Sequence, residues 1–217
     1  LQAPKPTGKR TKVAVALSGG GRSLANLLHH KNLTDPPFEI CGVMASNSQC
    51  YGLEIAKQHQ LEHIVLKFPN APTSDFDEHL THWLKTVDAE WIVLAGFLKK
   101  FPVLPQFHGK IVNIHPALLP KFGGKGMYGD HVHEAVIRAG EKTSGATIHL
   151  VDGDYDKGQI IAQIHVTLNP KETPETLAKR VFRAECELYP KVLSKLISGE
   201  YPLADRQIAR FEFCETE

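Results

Sequence analysis

A chain of 217 residues with 42% hydrophobic and 23% charged residues is long enough to bury a substantial core, and its composition is ordinary for a soluble globular protein. A formal net charge of +1 gives no electrostatic case for nucleic acid or an anionic membrane as partner, and no apolar run approaches transmembrane length. Cys41, Cys50, Cys186 and Cys214 lie far apart with no C-x-x-C pair, which argues against a disulfide framework or zinc knuckle and for a reducing cytoplasm.

Residues 1–11, rich in Pro, Lys and Gly, read as a flexible N-terminal tail, and no signal-peptide core follows them. Lys12 to Leu17 is a short apolar strand, followed by the turn Ser18-Gly19-Gly20-Gly21-Arg22-Ser23 and a helix carrying Leu24, Leu27 and Leu28. Strand, glycine turn and helix N-terminus make an anion site, because glycines let the backbone approach and the free N–H groups favour phosphate. No Gly-Lys-Ser/Thr follows, which excludes a Walker A loop. Leu24 replaces the third glycine of a dinucleotide fingerprint, and Ala45-Ser46-Asn47 stands where its ribose-binding acid belongs. A tight turn without a ligand is the plainer alternative.

Further strands are predicted at Phe38 to Met44, Ile64 to Leu66 and Trp91 to Ala95, and helices at Gly52 to His59 and Asp75 to Val87. Strands alternating with helices predict an α/β fold with a doubly wound, mostly parallel sheet, helices on both faces and right-handed crossovers. Ile111 to Pro120 then reads as a buried strand that stops at Pro116, which has no N–H for a ladder. Asn113 and His115 are two apart and share one strand face, at the C-terminal end where open α/β sheets bind ligands. Taken alone, such a pair more often caps a turn.

Lys121 to Asp130 is too glycine-rich for a stable element and is expected to be a loop. A helix at His131 to Ala139, strands at Thr147 to Val151 and Ile160 to Val166, and a long helix at Thr173 to Ser198 follow. Pro190 inside that helix predicts a kink or break. The C-terminal tail, 201–217, has one candidate edge strand at Ile208 to Phe213. His131-x-His133-Glu134 lacks H-E-x-x-H spacing and suits a structural or supporting role better than a metal. Asp152, Asp154 and Asp156 imitate an EF-hand start, but Lys157 and Gln163 occupy the positions of its glycine and bidentate glutamate. Ser18 lacks the preceding glycine of a nucleophile elbow.

Four stretches carry a family resemblance: Val15 to Gly21, Val93 to Leu98, Asn113 to Phe122 and Thr147 to Gly158. In order and spacing they resemble the glycinamide ribonucleotide formyltransferases, folate-dependent enzymes of purine synthesis, over roughly residues 12–200. The resemblance implies one formyltransferase domain of Rossmann-like fold over that span. It implies Asn113, His115 and Asp156 as the catalytic trio, and Gly19, Gly20, Gly21, Arg22 and Ser23 as the substrate phosphate site. Phe97, Leu98, Lys99, Val151 and Asp152 correspond to the folate site, and Glu185 to the glycinamide side of the substrate. The implied co-substrate is 10-formyltetrahydrofolate with no metal; the implied partners are small molecules, with no nucleic acid or membrane, for a monomer or homodimer.

The chain departs from the family pattern at Arg22 and Ser23 in the phosphate turn, at Lys99 where arginine is usual, at Ala117 where serine is frequent, and in a longer 121–130 loop. Arg22 can pair directly with phosphate, whereas Lys99 loses bidentate geometry. The implied chemistry needs donors at a developing oxyanion and a group to take the amine's proton. Protonated His115 and the Asn113 amide suit the first task, with Asp156 favouring the imidazolium and receiving the proton through a water. Formyltetrahydrofolate hydrolases usually carry an extra N-terminal domain, and formyltransferases for tRNA or nucleotide sugars an extra C-terminal one. With neither expected here, the glycinamide substrate is favoured over both, and over a non-catalytic phosphate-binding module.

Overall fold

A computed structural model describes residues 9–69, 73–201 and 207–214. Most of the expected N-terminal tail and part of the C-terminal one lie outside the described residues. The described residues divide into two compact units, one made of those up to Ile111 together with 193–201, the other of 112–192 together with 207–214.

In the first unit β1 (Thr11–Leu17), β2 (Phe38–Ala45), β3 (His63–Val65) and β4 (Trp91–Leu94) lie in the order β3-β2-β1-β4, every pair parallel. Val13 to Leu17 are wholly buried, which is why β1 reads as an unbroken apolar run rather than an alternation. Three helices connect these strands: α1 (Arg22–Thr34), α2 (Gly52–Gln58) and α3 (Ser74–Thr86). The Thr73 hydroxyl caps α3 by accepting from the Phe76 N–H at 3.3 Å. A short 3-10 turn at Pro105–Phe107, unmarked by any periodicity, precedes β5.

The second unit contains most of β5 (Ile111–His115), β6 (Thr143–Leu150), β7 (Ile160–Thr167) and β8 (Ala209–Glu212), with helix α4 (Asp130–Arg138) and most of α5 (Pro174–Ile197). β5/β6 and β6/β7 are antiparallel, and β7/β8 is parallel. The chain is therefore the α/β, mostly parallel protein that its alternation predicts. β5 ends at His115, immediately before Pro116. β6 begins at Thr143 rather than Thr147, because Ser144, Gly145 and Ala146 give no apolar signal. Gly145 is needed there: a Cβ would stand 1.9 Å from the Ile164 carbonyl oxygen on β7.

Pro190 lies inside α5, which continues through it to Ile197, so the helix is not broken there. Buried Leu177, Val181, Leu188, Val192 and Leu196 hold the helix on both sides of it. Tyr189 donates its hydroxyl to the Val112 carbonyl at 3.1 Å, tying α5 to the strand that carries Asn113.

Candidate active site

Strand register assembles the polar cluster of the second unit. Asn113 lies opposite His149 and His115 opposite Thr147 across β5/β6, while Thr147 lies opposite Gln163 across β6/β7. Directly opposed residues share a sheet face, so these side chains meet. The buried Thr147 hydroxyl accepts from the Leu119 N–H and from Gln163 Nε2, both at 3.0 Å, and donates to the Ala117 carbonyl at 2.6 Å. The network fixes the chain just after His115.

Asp156 enters from the loop after β6 with φ 55°, a left-handed conformation that Asp adopts more readily than most residues. Its carboxylate is 11% exposed, with Oδ2 3.5 Å from His115 Nδ1 and Oδ1 3.5 Å from His149 Nε2. The Gly124 N–H donates to Oδ2 at 2.9 Å. Gly158 closes this loop onto β6; a Cβ there would lie 1.7 Å from the Leu150 carbonyl oxygen.

His115, 3% exposed, donates from Nε2 to the Phe122 carbonyl at 2.7 Å. A carbonyl only accepts, so Nε2 holds the proton of the neutral ring, and Nδ1, facing Asp156, is the nitrogen that titrates. Asp156 favours the protonated ring, as expected, against the opposing effect of burial. Burial, the largest influence, together with the neighbouring His149, outweighs Asp156 and the Phe122 carbonyl and pushes His115 below its usual 6.5. Burial works to raise Asp156, but His149, His115 and the Gly124 N–H hold it below the usual carboxylate range. His149, 1% exposed, donates from Nδ1 to the Leu150 carbonyl at 2.8 Å. Its Nε2 lies 3.0 Å from the Asn113 amide nitrogen and 3.5 Å from Asp156 Oδ1, which orients that amide and leaves its second N–H for another acceptor.

A depressed histidine pKa means that the unfolded chain binds the proton more readily, so His115 contributes stability in full above about 6.5 that is lost as pH falls through its folded value. His133, also buried and pushed down, acts in the same window, and Asp156 adds a further loss at more acid pH. Urea midpoints should therefore be flat from neutral to mildly alkaline pH and fall below about 6.5. His115→Gln should shallow the first part of that fall; an identical slope in the variant would contradict the assignment.

In the first unit, Gly19 and Gly20 are exposed, and a Cβ on either would meet nothing within 4 Å. Gly21, at φ 71°, is the N-cap of α1, and no side chain caps that helix. Arg22 is exposed and Ser23 half-buried. Phe97 packs edge-on against Phe68, with ring centroids 4.7 Å apart; Leu98 is 47% exposed and Lys99 exposed. In the second unit Glu185 is half-buried on α5. Val151 and Asp152 begin the loop that carries Asp156, and Asp152 Oδ1 accepts the Asp154 N–H at 3.1 Å as a turn residue. His131 is exposed and His133 buried, and among the described residues no group of His, Cys, Asp and Glu is arranged to hold a metal ion.

The structure thus brings Asn113, His115 and Asp156 together and adds His149, Thr147, Gln163, Phe122 and Gly124, which sequence reasoning missed. The alternation of Thr147 and His149 along one strand was the available signal; their partners depend on an antiparallel register that no local pattern records.

An α/β chain that joins a glycine turn after its first strand to an amide, an imidazole and a carboxylate at a later strand end defines a recognisable class. The formyl transferase family profile matches residues 11–193, and the chain belongs to the formyl transferase family. More particularly, it is 39% identical over 196 residues to the chloroplastic phosphoribosylglycinamide formyltransferase of Arabidopsis thaliana, covering 87% of this chain and 66% of that protein. It is 34% identical over 197 residues to phosphoribosylglycinamide formyltransferase of Haemophilus influenzae, covering 89% and 91%. The crystal structure of phosphoribosylglycinamide formyltransferase from Anaplasma phagocytophilum superposes with TM-score 0.82 at 30% identity, over 95% of this chain and all of that one. The chain spans just under two thirds of the length of the Arabidopsis relative.

Proposed function

We propose that this protein transfers the formyl group of 10-formyltetrahydrofolate to the amine of glycinamide ribonucleotide, a step of purine biosynthesis. The observation that carries the proposal is the convergence of Asn113, His115 and Asp156 in one buried cluster, ordered by His149 and the Gly124 N–H. The family and the names of the relatives support the choice of reaction.

The amine attacks the formyl carbon, a C–N bond forms, and the carbonyl electrons move onto oxygen. Collapse of that oxyanion expels the folate N10, and the proton shed by the amine passes through water and Asp156 to the leaving nitrogen. The second N–H of Asn113 and Nε2–H of His115 are the oxyanion donors, so the formyl oxygen takes the place of the Phe122 carbonyl at Nε2. A neutral His115 in the free protein fits this role: the developing negative charge raises its pKa and draws a proton to Nδ1, beside Asp156.

The substrate phosphate is assigned to Gly19, Gly20, Gly21, Arg22 and Ser23, through backbone N–H groups and the uncapped start of α1. Folate is assigned to Phe97, Leu98, Lys99, Val151 and Asp152, and the glycinamide side to Glu185. A reducing aqueous compartment such as the cytoplasm suits the four free cysteines.

Incubation with 10-formyltetrahydrofolate, followed by the absorbance of deformylated folate, tests the reading. Turnover that depends on glycinamide ribonucleotide is the expected result. Turnover at the same rate without the amine would instead identify a hydrolase, and no turnover in either case would remove the assignment.

A further inference from the structure

Ser18 lies between β1 and the glycine turn, and it is bonded to more than its own turn. Its N–H donates to the Gly96 carbonyl at 3.1 Å. Its hydroxyl oxygen accepts from the Leu98 N–H at 2.9 Å and from the Ser46 hydroxyl at 2.8 Å. Ser46 is buried at the end of β2, where its N–H donates to the Leu17 carbonyl at 3.0 Å. The next residue along, Gly19, accepts from the Gly52 N–H at 3.2 Å. One side chain therefore joins the C-terminal ends of three strands within the first unit.

The bond to Leu98 matters most. β4 ends at Leu94, so no sheet ladder extends to Leu98, and Gly96 turns the chain at φ 69°. The Ser18 hydroxyl thus fixes the Leu98 backbone, and the same residue opens the turn Gly19 to Ser23. Resting on the assignment of that turn to phosphate and of Phe97 to Lys99 to folate, we infer that Ser18 is a positioning residue that couples the two substrate subsites. A ligand that settles on either segment moves the hydroxyl on which the other depends, so binding at one subsite is felt at the other. Such coupling is reciprocal.

Titration calorimetry on the full chain tests this with tetrahydrofolate, which has no formyl group to transfer, and glycinamide ribonucleotide. In the parent, saturating nucleotide should tighten tetrahydrofolate by about fivefold or more, and tetrahydrofolate should tighten the nucleotide by the same factor. Ser18→Ala should still bind each ligand, with the factor reduced to within about twofold of one. Ser18→Thr, which keeps a hydroxyl, should restore it. Should Ser18→Ala fail to fold, Ser46→Ala removes one donor to the same oxygen and should lower the factor part of the way. A parent whose ligands ignore each other overturns the coupling and leaves the formyl-transfer reading intact. So does a Ser18→Ala protein that keeps the parental factor, or an unchanged Ser46→Ala where the first variant does not fold. A parent that binds neither ligand removes the formyl-transfer reading, and this inference with it.

Discussion

Replacing Asp156 with asparagine is expected to lower kcat by roughly two to four powers of ten, the scale on which positioned acid–base and oxyanion groups act. The variant isolates charge from shape. Asparagine tolerates the left-handed backbone at φ 55° and fills the same volume, so the loop closed by Gly158 should keep its place. What disappears is the negative charge 3.5 Å from His115 Nδ1. Burial already pushes His115 down, with Asp156 as the largest opposing influence. Without it the ring has little tendency to accept a proton as the oxyanion develops, and the relay from the amine loses its acceptor. KM for either substrate should change far less, because the lost interaction belongs to the transition state. Asp152→Asn and Asp154→Asn should leave kcat within a small factor of the parent, since Asp152 braces a turn and Asp154 lies beside Lys157. Steady-state kinetics of the three variants decides the matter; full activity in Asp156→Asn would remove the carboxylate from the chemistry.

The second large effect is expected at the glycine turn. Gly21→Ala should raise KM for the nucleotide by roughly 10- to 100-fold while changing that for folate much less. Gly21 has φ 71°, and a Cβ would lie 2.6 Å from the Cα of Gly52, a backbone atom that cannot rotate away. Left-handed strain and this clash together displace the start of α1 from Gly52, and with it the N–H groups assigned to phosphate. Varying each substrate in turn measures both constants; equal increases in the two would move the phosphate elsewhere.

The fold was legible because its signals are local. Val13 to Leu17 announce a strand buried on both faces, Pro116 ends β5, and Gly21 marks the start of α1. The pairing of Asn113 with His115 follows from the two-residue period of a strand. Asp156 was placed by resemblance alone, since three aspartates alternate in its loop and only the left-handed turn selects one. His149 was not legible as a site residue, because its contact with Asn113 is made across an antiparallel pair. Burial also escapes sequence reading: Asp156 favours the protonated His115 as expected, but at 3% exposure desolvation opposes it more strongly. Pro190 leaves α5 unbroken, because a helix held by packing on either side tolerates a residue that would end it in isolation.

The proposed reaction is transfer of a formyl group onto an amine by the trio of the second unit. Its most direct test is a single turnover of 10-formyltetrahydrofolate, isotopically labelled at the formyl carbon, with excess glycinamide ribonucleotide, followed by NMR. The prediction is label in the formamide of the nucleotide product, formed quickly by the parent and slowed by orders of magnitude in Asp156→Asn. Label released as formate at a rate indifferent to the nucleotide, or a formamide formed equally fast without the Asp156 charge, would contradict it.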